Sequence, residues 1–353
     1  MTATTNPLAH PRIDWVDYAK GICIILVVMM HSTLGVAAAM GEPNWLLGFI
    51  EWARPFRMPD FFLISGLFLA SRIDRPWRAY ADTKIMHFAY FYLLWMTIQT
   101  ALKGWSGPDG VWGLPEYWLT ALVEPLGTLW FIYVLILFFV TAKLVRHVPV
   151  WIVLPIAAAL ELAPIHTGWI AIDEFAGRFV YFYTGYVAAR WIMSFAAGVA
   201  RVDAPSLLAF LATWAVVNLW AVQSGLAFAP VLSMVFGYAG CAAVITLAQL
   251  MTRTRVFEAV RYCGANTLPV YLAFFLFMAA TRVVLLKTGI ITDGGAISLI
   301  VTAAGVIGPL VLHWIALRTP ARFLFVRPAF ARLAGRGGQP AAGALSAGRP
   351  KPV

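Results

Sequence analysis

Charge is what this sequence has least of. Only 12% of its 353 residues are charged, against 61% hydrophobic, and the mean hydropathy is +0.79. A soluble domain of this size could not carry so little charge without aggregating, which excludes a water-soluble globular enzyme and leaves a polytopic membrane protein. Cysteine is scarce too. Cys23, Cys241 and Cys263 lie in or beside apolar runs without paired spacing, which excludes a disulfide framework or a zinc site and leaves packing residues. His87, His166 and His313 lack metal-ligand spacing to one another, so no metal is expected. A Gly-x-Ser-x-Gly elbow is missing, which counts against a serine hydrolase of that design. A Walker-type or paired-glycine fingerprint is missing as well, so any phosphorylated ligand is held by something other than a P-loop. The first twenty residues lack a signal peptide's short apolar core and cleavage site, and helix one is expected to stay in the mature protein. Without a convincing internal repeat, a transporter of two homologous halves is disfavoured.

What is present is apolar length. Runs long enough to span a bilayer occupy about 16–38, 48–70, 84–102, 128–145, 149–164, 176–195, 205–223, 228–250, 265–285 and 296–316, and predict an all-α membrane bundle of about ten helices. Under alternating topology, 20 of the 26 Lys and Arg fall on one side. By the positive-inside rule that side is cytoplasmic, with both termini. The net charge of +10 is therefore a topology signal, and no nucleic-acid partner is expected. Segment 103–127 mixes turn formers with Trp105, Trp112, Tyr117 and Trp118, and reads as an outward loop lying at the interface or folded back as a short lid. Residues 1–15 form a cytoplasmic lead-in, 16–317 the membrane domain, and 318–353 a basic tail expected to be disordered near anionic headgroups.

The first span carries the costly residue. His31 sits inside an apolar run that Lys20 opens, and at about 100° per residue the eleven positions between them drift by only about 20°, so both share one face. At about 1.5 Å per residue the imidazole lies roughly 16 Å deeper, near the middle of a hydrocarbon layer about 30 Å thick. An ionisable group at that depth is either a helix-packing histidine bonded to a neighbour or a functional group.

Three arginines recur every third residue past the second span, Arg72, Arg75 and Arg78. Guanidinium forks suit phosphate oxygens, and a cytoplasmic nucleotide-bearing ligand fits them; the bland alternative is a positive-inside anchor. Asp60, also deep in the second span, is placed to accept a bond from His31 and fix its tautomer, or else to pair with Arg57 or face a water-filled vestibule. Asp17 stands three residues before Lys20 and is suited to neutralise it. Trp130, Asn266 and Tyr271 lie near span ends and read as packing or interface residues.

Taken in order, Asp17-Tyr18-Ala19-Lys20-Gly21 with His31, Phe61-Phe62-Leu63-Ile64-Ser65-Gly66 followed by spaced arginines, Leu129-Trp130-Phe131, and Gly264-Ala265-Asn266-Thr267-Leu268-Pro269-Val270-Tyr271 resemble acyltransferase family 3 of integral membrane O-acyltransferases. The likeness runs from about residue 12 to 317. It implies a ten-helix core in the plasma (inner) membrane, a cytoplasmic acyl-CoA, most simply acetyl-CoA, as co-substrate rather than a resident cofactor, and usually a carbohydrate or glycan-lipid hydroxyl as acceptor. It also implies an essential His31. Lys20 stands where family members commonly carry arginine, and either Arg72 with Arg75 or Arg75 with Arg78 matches the family's arginine pair. The expected chemistry is general-base catalysis by His31, with Asp60 or Asp17 assisting, or transient acylation of His31 itself. Lys20, Arg72, Arg75 and Arg78 would hold the nucleotide end of the donor. The rival is a transporter or flippase in which His31 and Asp60 relay protons and the arginines bind headgroups.

Overall fold

The computed structural model describes residues 13–104, 113–125 and 127–333. These residues are all-α: α1 Asp14–Met40, α2 Leu46–Leu67, α3 Trp77–Ala81, α4 His87–Gly104, α5 Leu114–Val123, α6 Trp130–Leu144, α7 Val150–Leu162, α8 Ile170–Val187, α9 Ala189–Val199, α10 Ala204–Gln223, α11 Leu232–Met251, α12 Glu258–Ala265, α13 Thr267–Thr288 and α14 Gly294–Ala316. A π-helical turn, Asp82–Met86, joins α3 to α4.

Every apolar run of the sequence lands on a helix, because a membrane-length stretch of Leu, Ile, Val, Phe and Ala satisfies its backbone only by coiling. Among the described residues, seven stretches are long and apolar enough to cross a bilayer: α1, Trp77–Leu102, Leu114–Leu144, α10, α11, α13 and α14. Three of the expected ten fall short by that measure. Helix α2 carries Glu51, Arg54, Arg57 and Asp60, α7 has only 13 residues, and the run at 176–195 is broken between α8 and α9.

Helix α1 is the centre, packing on α2, α11, α12, α13 and α14. Asp14 and Asp17 in its first turn complement the helix dipole, and Gly41, with φ 75°, ends it in a left-handed cap. Small residues bring backbones together where the site is built. A Cβ on Gly264 would run into the Asp17 carbonyl, and one on Gly21 into the Val260 carbonyl, so α12 lies directly on the inner end of α1. Gly66 and Gly185 do the same for α2 on α8, against the carbonyls of Phe182 and Leu63. Gly264→Ala is expected to cost about 1–3 kcal/mol through overpacking, seen as a lower thermal midpoint. Gly48→Ala, where a Cβ meets nothing within 4 Å, is the control.

Helix α5 folds back on α4, with the Trp118 indole donating to Thr97 Oγ1 at 3.1 Å; Trp105 and Trp112 lie outside the described residues. The tail departs from expectation. Residues 334–353 of it lie outside the described residues, while residues 318–333 make two short 3₁₀ turns and lie back under α4. There Trp95 and Tyr90 donate to the carbonyls of Leu324 and Phe323, and Arg327 pairs with Asp82 at 2.9 Å. Phe325, buried against the rings of Trp95 and His313, anchors the segment together with these backbone carbonyls and the buried ion pair.

Candidate functional site

The inner end of α1 opens on a cavity of about 250 Å³ with Lys20 at its mouth. Its walls are Phe61 from α2, Phe88 from α4, Phe131 from α6 and the Gly264–Tyr271 stretch that links α12 to α13. Phe61 stacks on Phe131 at 4.5 Å, and the Tyr271 hydroxyl is tied to the Thr128 carbonyl and the Ile132 N–H, so this end of the cavity is rigid. Beyond it Tyr271 meets Phe274 at 6.5 Å between ring centroids, and Phe274 meets the half-buried His31 at 5.5 Å. The open volume stops one aromatic layer short of the imidazole. Ligand pockets commonly span roughly 300–1,000 Å³, so this one suits a narrow chain.

The mouth is cationic. Lys20 lies with its Nζ 5.8 Å from the Phe68 ring centroid and 4.0 Å from Asp17 Oδ1. Lys84, on the π-turn, is within electrostatic reach of Arg72, Lys20 and Arg75. None of Arg72, Arg75 and Lys84 has an acidic group within ion-pair distance among the described residues. Such a cluster repels itself until an anion arrives. The turn that carries the two arginines is pinned from below. Buried Lys143 donates to the carbonyls of Ile73 and Arg75, and its ammonium sits over the rings of Trp77 and Tyr80.

Arg78 is elsewhere. Its Nε and Nη2 both donate to the Leu333 carbonyl, at 3.1 and 2.9 Å, so it holds the C-terminal segment. Asp17 is brought to Lys20 and not to His31, which is fourteen residues or about 21 Å further along the helix. Asp60 is fully buried, and its Oδ2 accepts from the Cys23 thiol at 2.6 Å while Oδ1 has no hydrogen-bond partner. Cys23 lies eight residues, or about 12 Å of helix, before His31, so the pairing sketched for Asp60 and His31 is not the arrangement adopted. Nor does Arg57 pair with Asp60. Its guanidinium donates to the Ile50 carbonyl at 3.4 Å and to Met30 Sδ at 2.7 Å, one residue before His31.

Sequence reasoning missed three contributors. Lys84 and Lys143 carry no signal of their own beyond the excess of cations on one side; the structure sets Lys84 over the Phe139 ring, within electrostatic reach of Lys20 and Arg72, and Lys143 under the arginine turn. Tyr271 looked like a packing residue, and only the docking of α13 against α6 puts it in the cavity wall.

Comparison with known proteins now has a geometry to meet. A family model described as an acyltransferase domain matches residues 13–316. Nodulation protein NolL of Mesorhizobium japonicum is 28% identical over 153 residues, 42% of this chain and 41% of that protein. Inner membrane protein YcfT of Escherichia coli is 25% identical over 181 residues, 44% of this chain and 49% of its own. NolL of Sinorhizobium fredii is 28% identical over 191 residues, 52% and 50% respectively. The matches span half or less of each relative's length. No solved structure matches the chain. The family match takes in every helix from α1 to α14, cavity and cationic mouth included, and the chain belongs to acyltransferase family 3 as a multi-pass membrane protein.

Proposed function

We propose that this enzyme moves an acyl group, most simply acetyl, from a cytoplasmic acyl-CoA to a hydroxyl of a cell-envelope carbohydrate or glycan-lipid. The observation that carries this reading is the cationic mouth on a narrow cavity that points along α1 toward His31. The donor's phosphates sit on Lys20, Arg72, Arg75 and Lys84, and the pantetheine arm enters between Phe61, Phe131 and Tyr271. To reach His31 the rings of Tyr271 and Phe274 must shift. His31 then takes the proton of the acceptor hydroxyl as its oxygen attacks the thioester carbonyl. The carbon–sulfur bond breaks, and the departing CoA sulfur recovers that proton from the imidazolium. Asp17 moderates the charge of Lys20, and Asp60 with Cys23 belongs to the α1–α2 contact. The excess of Lys and Arg on the donor side supports a cytoplasmic mouth, ten crossings and both termini inside. The printed name of the Escherichia coli relative supports placement in the inner membrane.

The test is purified protein with labelled acetyl-CoA and an envelope glycan fraction, wild type beside His31→Ala. Transfer that vanishes with the imidazole supports the reading; proton-coupled uptake without transfer overturns it in favour of a transporter. The donor site has its own prediction. A charge-assisted hydrogen bond is worth about 1.5–3 kcal/mol, so Arg72→Ala and Arg75→Ala should each raise the KM for acetyl-CoA roughly ten- to a hundredfold, and by less at high salt, where the wild-type attraction is itself screened. Arg78→Ala should leave it within about twofold, because that side chain holds Leu333.

A further inference from the structure

A second cavity, of about 360 Å³, opens at the other end of the bundle. It is framed by Arg54 of α2, Glu161 at the end of α7, Glu174, Arg178 and Tyr181 of α8, and Ser233 of α11. Arg54 precedes Phe68, the ring beneath Lys20, by fourteen residues or about 21 Å of helix, so this cavity lies far from the cationic mouth.

Its charges are nearly all spoken for. Arg54 pairs with Glu51 and Arg178 with Glu174, both at 3.2 Å. Asp173 accepts from the N–H and hydroxyl of Thr167 and from the N–H of Gly168. Glu161 is the exception. Its Oε1 accepts from the hydroxyls of Tyr181 and Ser233 at 3.3 and 3.1 Å, while Oε2, sheltered from solvent, has no hydrogen-bond partner. A sheltered carboxylate oxygen already surrounded by hydroxyl donors calls for one more donor. Behind the wall, buried Arg57 is within electrostatic reach of Arg178, and no carboxylate pairs with it among the described residues. With Arg57 counted, three guanidiniums stand against four carboxylates, Glu51, Glu161, Asp173 and Glu174, and leave little net charge. That balance suits a neutral, hydroxyl-rich ligand better than an ion. The Arg57 guanidinium touches Met30, the neighbour of His31.

We propose that this cavity seats a sugar ring of the acceptor and that Glu161 orients it through a ring hydroxyl, an inference that rests on the acyl-transfer reading above. The volume falls within the range of roughly 300–1,000 Å³ usual for small-ligand sites.

Exposed Ala163 lines the cavity, and the native cysteines Cys23, Cys241 and Cys263 are buried, so Ala163→Cys offers a clean handle. In sealed membrane vesicles a sulfonated, membrane-impermeant thiosulfonate reagent is applied to the face opposite the donor. CoA release without acceptor and label transfer to an envelope glycan fraction are read together. The expected result is that modification lowers the ratio of transfer to CoA release at least tenfold. The glycan fraction should slow modification at least threefold, but not when Glu161→Gln is added. Glu161→Gln alone should raise the apparent KM for the glycan fraction at least tenfold, with a smaller change in kcat and partial recovery in Glu161→Asp. A ratio that stays within twofold, or glycan that gives no protection, overturns the proposal. A wild type that releases no CoA and transfers no label even with the glycan fraction present instead overturns the acyl-transfer reading, and the protection measurement still decides the cavity.

Discussion

His31→Gln is expected to lower acyl transfer by about 10²–10⁴-fold at saturating acetyl-CoA, the usual contribution of a positioned general base. Glutamine keeps most of the imidazole's volume and can still hydrogen-bond, so the contact with Phe274 survives and the loss isolates the proton-accepting nitrogen. His31→Ala should lose at least as much, and it also opens space beside Phe274. The donor side responds differently. Lys20→Ala should raise the KM for acetyl-CoA with a smaller change in kcat, because its charge meets phosphates that do not react. A His31→Gln enzyme that keeps the wild-type rate moves the proton to another residue and removes the chemical basis of the α1 stripe.

The stripe itself was legible in the sequence because it is a local property. Helical periodicity alone puts Lys20 and His31 on one face, and an apolar run with one lysine at its end fixes how deep the histidine goes. Membrane-length helices were legible for the same reason, though composition could not say that α8 and α9 break at Ala188 or that α7 stops after 13 residues. Register between helices is different in kind. Asp60 was matched in depth to His31 by counting from helix ends, but α2 docks on α1 with Asp60 opposite Cys23, a register that no single helix encodes. Arg72, Arg75 and Arg78 looked equivalent because their partners are remote: Arg78 is spent on a carbonyl 255 residues away. The outer cavity was invisible for that reason too. Its walls come from α2, α7, α8 and α11, and no segment of the chain carries more than a fragment of it.

The same remoteness makes Asp82 a vulnerable position. Asp82 is expected to be worth about 3–5 kcal/mol when replaced by alanine, because that change leaves a buried guanidinium uncompensated. The pair is sheltered, with 8% and 11% of the Arg327 and Asp82 side chains exposed. Arg327 donates to the Asp82 carboxylate at 2.9 Å and to its backbone carbonyl at 2.7 Å, while the N–H of Leu333 donates to Oδ1 at 2.7 Å. Losing the carboxylate therefore strands two donors at once. An apolar pair, Asp82→Leu with Arg327→Met, should recover much of the loss, since exchanging both members of a buried ion pair for packed hydrophobes is often neutral or stabilising. The thermal midpoint of the detergent-solubilised protein, measured for both single variants and the double, reads that coupling directly. There is a functional consequence as well. Asp82 opens the π-helical turn that carries Lys84, and π-turns persist where neighbouring contacts over-determine them. Freed from the C-terminal segment, the turn can relax toward regular helix, which rotates Lys84 away from Arg72 and Lys20. Asp82→Ala should then raise the KM for acetyl-CoA even at temperatures where the protein remains folded, and the apolar pair, which restores packing without the bonds to Leu333, should recover stability more fully than donor binding. Equal recovery of both would mean that Lys84 is placed by the bundle alone, and that the folded-back tail serves stability and nothing else.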